Sequence, residues 1–285
     1  MMQDKIKIEK LSDQVFYSHT NHKCDQPILG AIVGSSAVLM VDAGGHEEYL
    51  RQFLNFLKER NAPENVLLVL THWHWDHVFG LAGYGNQIIA HSLTFARLNL
   101  LKQMALNSTD EKCWEKLGSQ EEAHSYLLDL ARCHVAWRDY GHIPLPDVLF
   151  DDSLEIDLGG VRCRIERVGG DHSEDSCVVR ALDSEVVFLG DALYRSWGAE
   201  KRYSRKRLPD LIKRLVAYNA GTYLLAHEPT PLNLDHLLHW QNVVQKIKAL
   251  DAEGGNVNFE TLRKSNIIEN ATEQFFLELM GPIYD

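Results

Sequence analysis

Two rhythms of apolar and polar positions run along this chain, one suited to strands and one to helices. "AVLMVDAGG" (37–45) is apolar without a break until Asp42 and a glycine turn, which predicts a buried strand. "HEEYLRQFLNFLKER" (46–60) places Leu50, Phe53, Leu54 and Leu57 at i, i+3, i+4 and i+7, so its apolar residues form one stripe of an amphipathic helix. "NVLLVL" (65–70) is again continuously apolar between polar neighbours and predicts a second buried strand. That strand delivers the chain into "THWHWDHVFG" (71–80), which therefore lies on a loop at a strand's carboxyl end, where α/β proteins commonly bind ligands.

Residues 92 to about 140 carry helical patterns and few strand signals, as expected of a helical insertion serving as a lid or a dimer surface. "DDSLEIDLGGVRCRIERV" (151–168) predicts a hairpin. Gly159 and Gly160 make its turn, and Val161, Cys163 and Ile165 alternate with charged neighbours. Further strands are expected at "CVVRAL" (177–182), "EVVFLGD" (185–191) and "TYLLAHE" (222–228), and helices at "LPDLIKRLVAYNAG" (208–221) and "DHLLHWQNVVQKIKAL" (235–250). The whole, 1–285, reads as one α/β domain with a helical extension from about 232 to 285. "AVLMVDAG" (37–44) and "VVFLGDAL" (186–193) share a strand followed by Asp and a small residue, which two related halves or coincidence would equally produce.

Composition narrows the partners. With 45% hydrophobic and 24% charged residues the chain is of ordinary globular type, and 285 residues suffice for a sizeable core. A formal net charge of −11 argues against nucleic acid and acidic membranes as partners. No apolar run approaches the ~20 residues of a bilayer span, and "MMQDKIKIEK" has no secretory pattern. Cys24, Cys113, Cys133, Cys163 and Cys177 are odd in number and unpaired in spacing, so reduced thiols and a cytoplasmic address are expected. The partner expected is a small-molecule substrate, with a homodimer as an option.

The candidate chemistry begins in the 71–80 segment. Residues i and i+2 of an extended chain point the same way, so His72 and His74 can grip one ion. If a helix starts near Asp76, then Asp76 and His77 face elsewhere and can hold a second. A catalytic metal needs about three protein ligands and an open position, so further ligands must come from downstream. "VGGDHSEDS" offers His172, "FLGDALY" offers Asp191 and "LLAHEP" offers His227, each at the carboxyl end of an apolar strand.

"HWHWDH" with His172, Asp191 and His227 in this order resembles the metallo-β-lactamase superfamily, over roughly residues 10 to 230. The resemblance implies a four-layer αββα sandwich with metals at one edge. It implies that His72, His74 and His172 hold a first ion and that Asp76, His77 and His227 hold a second. Asp191 would bridge the two, and Asp42 would brace the ligand loops from outside. Two divalent ions, zinc before manganese or iron, would lower a bridging water's pKa toward ~7 and supply a hydroxide. Asp76 would orient that hydroxide and relay a proton to the leaving group. The expected reaction is hydrolysis of an ester, lactone, thioester, amide or phosphoester.

The resemblance also separates subtypes. True β-lactamases of this pattern usually carry cysteine at the bridging position and are secreted, so Asp191 disfavours a β-lactam. Tyr194, three residues after Asp191, is similar to a tyrosine of members that open acyl-homoserine lactones, where it donates to a substrate oxygen; packing is the alternative. The family's glutathione thioesterases share the ligand set, but residues 233–285 show no matching basic pattern. "KRYSRKR" (201–207) would draw an anionic substrate or be a solvated loop. Trp73 and Trp75 would line an apolar pocket or pack in the core, and Trp114 and Trp137 would touch substrate from a lid. His124, His134, His236 and His239 read as surface residues. The rival is an iron-dependent redox enzyme of the same fold, of the persulfide dioxygenase kind, since imidazole and carboxylate suit iron as well. A metal-holding scaffold without turnover finds no support, since no ligand position is lost.

Overall fold

The computed structural model describes residues 5–107, 120–196, 203–204 and 206–252. The N-terminal half builds a seven-stranded sheet: β1 (Ile8–Lys10), β2 (Val15–Ser18), β3 (Gly30–Val33), β4 (Val38–Val41), β5 (Val66–Val69), β6 (Ile88–His91) and β7 (Val148–Phe150). These strands lie in chain order, antiparallel through β4 and parallel from β4 to β7. The second sheet has five strands: β8 (Ser153–Asp157), β9 (Arg162–Arg167), β10 (Cys177–Ala181), β11 (Val186–Gly190) and β12 (Thr222–Leu225). Only its β11–β12 pair is parallel.

Side-chain alternation assigns each layer. Leu39 and Val41 of β4 face Val179 and Phe188 of the second sheet, in a core between the sheets. Val38 and Met40 point the opposite way, under Leu50, Phe53 and Leu57 of helix α1 (Glu47–Lys58). The second sheet repeats the arrangement. Its Val187 and Leu189 pack against Ile212 and Leu215 of α5 (Arg207–Val216) and against Leu237 and Trp240 of α6 (Leu234–Ala252). Two sheets between outer helices make the αββα sandwich. Strands buried on both faces must be apolar at every position, which is why β4, β5 and β11 stand out as unbroken runs.

The hairpin β8–β9 turns on Gly159 (φ +94°) and Gly160 (φ +79°), as its sequence predicts. The echo between 37–44 and 186–193 has a topological counterpart. In each sheet an antiparallel pair (β3–β4, β10–β11) leads through one helix (α1, α5) to a parallel strand (β5, β12). Both repeats end their central strand on the aspartate in question.

Within 92–140, α3 (Ser92–Asn107) lays Leu98 and Leu101 on the first sheet's outer core, and α4 (Gln120–Arg132) adds Tyr126 and Leu130. Trp137 is buried in the same cluster, whereas Trp114 lies outside the described residues. So do Cys113, Lys201, Arg202, Arg205 and the extension beyond 252. His124 and His134 are exposed, and His236 is engaged with Asn233 at the start of α6. No helix among the described residues is long and apolar enough to cross a membrane.

Candidate metal centre

The site forms where the carboxyl ends of β4, β5, β11 and β12 meet. After β4 the backbone turns left-handed at Asp42 (φ +60°), a conformation that Asp tolerates better than most residues. The Asp42 carboxylate then organises the loop after β5. Thr71 donates its N–H to Oδ1 at 2.7 Å and its hydroxyl to Oδ2 at 2.8 Å, and His77 Nδ1 donates to Oδ2 at 2.8 Å. Across the interface, Gly190 ends β11 at φ +51°. A Cβ there would stand 2.7 Å from Thr71 Cβ and Oγ1. Only glycine lets the second sheet press against Thr71, and that contact carries Asp191 into the centre.

All seven side chains picked out as ligands converge. Nε2 of His72 and Nε2 of His172 each approach Nδ1 of His74 to 2.9 Å, and His172 Nε2 lies 3.1 Å from Asp191 Oδ2. Beside them, Asp76 Oδ2 stands 3.2 Å from His77 Nε2 and 3.1 Å from His227 Nε2. Asp191 Oδ1 lies 3.4 Å from His77 Nε2. Within each group, His72–His74–His172–Asp191 and Asp76–His77–Asp191–His227, the donor atoms lie within 4.8 Å of one another. Asp191 belongs to both: Oδ1 faces His77, and Oδ2 faces His72 and His172 on one side and His227, at 3.6 Å, on the other.

These residues fit metal ions. A nitrogen lone pair on His74 cannot be satisfied by two imidazoles at once, but a cation among the three satisfies all of them. His77 Nε2 and Asp191 Oδ1 are buried and have no hydrogen-bond partner among the described residues, which is costly unless something else completes them. Burial, aided by the neighbouring imidazoles, pushes His72 and His74 well below the ordinary histidine value, so both are neutral donors. Burial also opposes charge on His77 and His227, but the Asp76, Asp191 and (for His77) Asp42 carboxylates outweigh it. They raise His77 well above its ordinary value and His227 to about 10. Against burial, the imidazoles hold Asp76 and Asp191 well below the usual carboxylate range.

Several supports were not legible in the sequence. Tyr126 of α4 accepts the Trp75 N–H at 3.1 Å and bonds Tyr140, whose hydroxyl donates to the Trp73 carbonyl at 3.4 Å. Trp73 is buried and donates from Nε1 to Ser173, which donates to the buried Asp175; Thr94 of α3 donates to the same carboxylate at 2.7 Å. Trp75 faces the cavity. This cavity, about 270 Å³, opens over the ligands and is lined also by Asp25, Tyr126, Asp129 and Tyr194. The Tyr194 hydroxyl accepts the His227 N–H at 3.2 Å and donates to Glu228 at 3.4 Å. Apart from Tyr194, singled out in the sequence, these buried hydroxyls and remote acids leave no periodic mark, so no sequence signal announced them.

Comparison with known proteins agrees with this geometry. The model of the metallo-beta-lactamase superfamily matches residues 30–227. A metallo-beta-lactamase type 2 of Bacteroides fragilis is 23% identical over 192 residues, 66% of this chain, and the match spans 62% of that relative's length. The metallo-beta-lactamase of Pontibacter korlensis superposes with a TM-score of 0.56 at 19% identity, over 84% of this chain and 99% of its own. DIM-1 metallo-beta-lactamase gives 0.57 at 13%, over 85% and 98%. At such identities the solved structures establish a shared fold.

Proposed function

The chain belongs to the metallo-beta-lactamase superfamily, and from that premise we propose that it is a dinuclear metal-dependent hydrolase of ester-type bonds in a small substrate. One observation carries the reading: the Asp191 carboxylate turns Oδ1 toward His77 and Oδ2 toward His172, placing it in both donor groups. Two divalent cations held there, zinc before manganese or iron, would acidify a water and polarise the substrate's carbonyl or phosphoryl oxygen.

The chain's own residues do the rest. Asp76 engages His77 and His227 through Oδ2, and we assign Oδ1 as the acceptor that orients the attacking water and passes its proton to the leaving group. Burial, with the Asp191 and Glu228 carboxylates, keeps the Tyr194 phenol protonated. Its 3.4 Å bond to Glu228 is long, so the hydroxyl can exchange that partner for a substrate oxygen. Among the described residues lining the cavity outside the proposed ligands, Asp25 and Asp129 are acidic and none is lysine or arginine, so attraction of an anionic substrate would have to come from the two cations themselves. The unpaired Cys24, Cys133, Cys163 and Cys177 support a reducing, cytoplasmic setting.

The test is metal analysis and an absorption spectrum of purified protein, followed by a panel of lactones, esters, thioesters, phosphodiesters and a β-lactam. Two zinc or manganese ions per chain with hydrolysis of an ester-type member is the expected result. The β-lactam, brought in by the names of the relatives, is expected to be a poor substrate because Asp191 offers oxygen at the position where the family resemblance leads β-lactamases to carry cysteine. A coloured, iron-loaded protein that consumes oxygen with a persulfide would overturn the reading.

A further inference from the structure

Metal-bound imidazoles are held by what their outer nitrogen touches, and here three of those partners are evident. His72 Nδ1 meets the Thr71 hydroxyl at 3.2 Å, His77 Nδ1 meets Asp42 at 2.8 Å, and His172 Nδ1 meets the Arg195 carbonyl at 3.1 Å. His227 differs. Its Nε2 faces Asp76 and Asp191, while its Nδ1 is buried without a hydrogen bond among the described residues and has Asp25 Oδ1 at 3.8 Å.

Asp25 is fixed in place. It sits at φ +52° in a turn closed by Asn21 and Gln26, which exchange backbone bonds of 2.9 and 3.0 Å. The Gln26 side chain ties the turn to the Asp42 loop by accepting the Gly45 N–H at 3.3 Å. The other Asp25 oxygen lies 3.6 Å from the Arg132 guanidinium at the end of α4, leaving Oδ1 on the His227 side.

We propose that Asp25 is the outer carboxylate of the second donor group, a positioning residue that orients His227 through Nδ1 as Asp42 orients His77. The inference rests on the dinuclear reading. Closing 3.8 Å to a hydrogen bond takes a movement of roughly 0.8 Å, within the rotation of one carboxylate. An Nδ1–H so engaged fixes the tautomer and leaves the Nε2 lone pair facing Asp76 and Asp191. No sequence pattern could report this, because Asp25 and His227 are 202 positions apart (227 − 25).

The experiment is stepwise titration of the chelated, full-length chain with Zn²⁺ and with Co²⁺, following heat and the cobalt absorption bands. Asp25→Ala is expected to weaken the second ion about 10–100-fold while the first binds as in the parent. Asp25→Asn, which keeps an acceptor oxygen, should recover most of that loss, and Asp13→Ala, at an exposed carboxylate between β1 and β2, should leave both affinities unchanged. Second-ion affinity unaltered in Asp25→Ala, including a case where only KM for a substrate rises, would overturn the proposal. Equal weakening of both ions would do so too, since it marks a structural role. A parent chain that takes up fewer than two ions would overturn the dinuclear reading, and this inference with it.

Discussion

Asp191 reaches the centre because its neighbour lacks a side chain. Gly190→Ala would place a Cβ 2.7 Å from Thr71 at a φ of +51°, so we expect a loss of about 1–3 kcal/mol in denaturant melts and lower metal content. Asp191→Ala should bring metal content below two ions per chain and abolish nearly all hydrolysis; full occupancy with normal turnover would contradict the bridging role. Tyr194→Phe should lower kcat with metal content unchanged, because the phenol's donor is lost while its ring stays beside His172 and His227. If kcat holds, the tyrosine only packs. At this scale the ligands were legible, since histidine and aspartate at the ends of apolar strands are a chemical anomaly. Thr71 and Asp25 were not, being ordinary residues whose importance lies in what they touch.

Helices α3 and α4 and the turn after them form a brace for the 71–77 loop. Two tyrosine hydroxyls hold the backbone at Trp73 and Trp75, and the buried Asp175 links α3 to the loop that bears His172. Tyr140→Phe removes bonds to both Tyr126 and the Trp73 carbonyl and should cost about 0.5–1.5 kcal/mol. A matching loss of metal affinity, read by competition with a chromophoric chelator, would show that the brace serves the centre and not merely the fold. The helices and the doubly buried strands were legible because their patterns are long or unbroken. The strands β1, β2, β3, β6 and β7, by contrast, were not delimited.

For the whole molecule, the candidate centre takes four side chains from the first half of the chain and three from the second, so it ties the two sheets together. Chelation should therefore lower the melting temperature of the entire domain, by an amount that depends on free metal. The metal-free protein should also show its own pH profile. His227 rises from the ordinary 6.5 to about 10 on folding, so its contribution is complete below about 6.5 and disappears as pH climbs toward 10. His77, also raised, works in the same direction, whereas Asp76 and Asp191 are depressed and lose their contributions as pH falls below about 3.8. Denaturant melts of chelated protein between pH 4 and 10 should be most stable at the acidic end of neutrality. A profile flat from 6.5 to 10 would refute the assigned charges of His77 and His227.

The chain by itself pointed to the layers, the central strands and the seven candidate ligands, because burial on two faces and metal affinity each constrain residue type directly. The expected places of Asp191 and Asp42 became distances only in the fold, and the fold alone decided that Thr71 bonds Asp42 and that Asp25 stands behind His227. Those relations are distances between segments far apart along the backbone, and only the packing of one sheet on the other sets them.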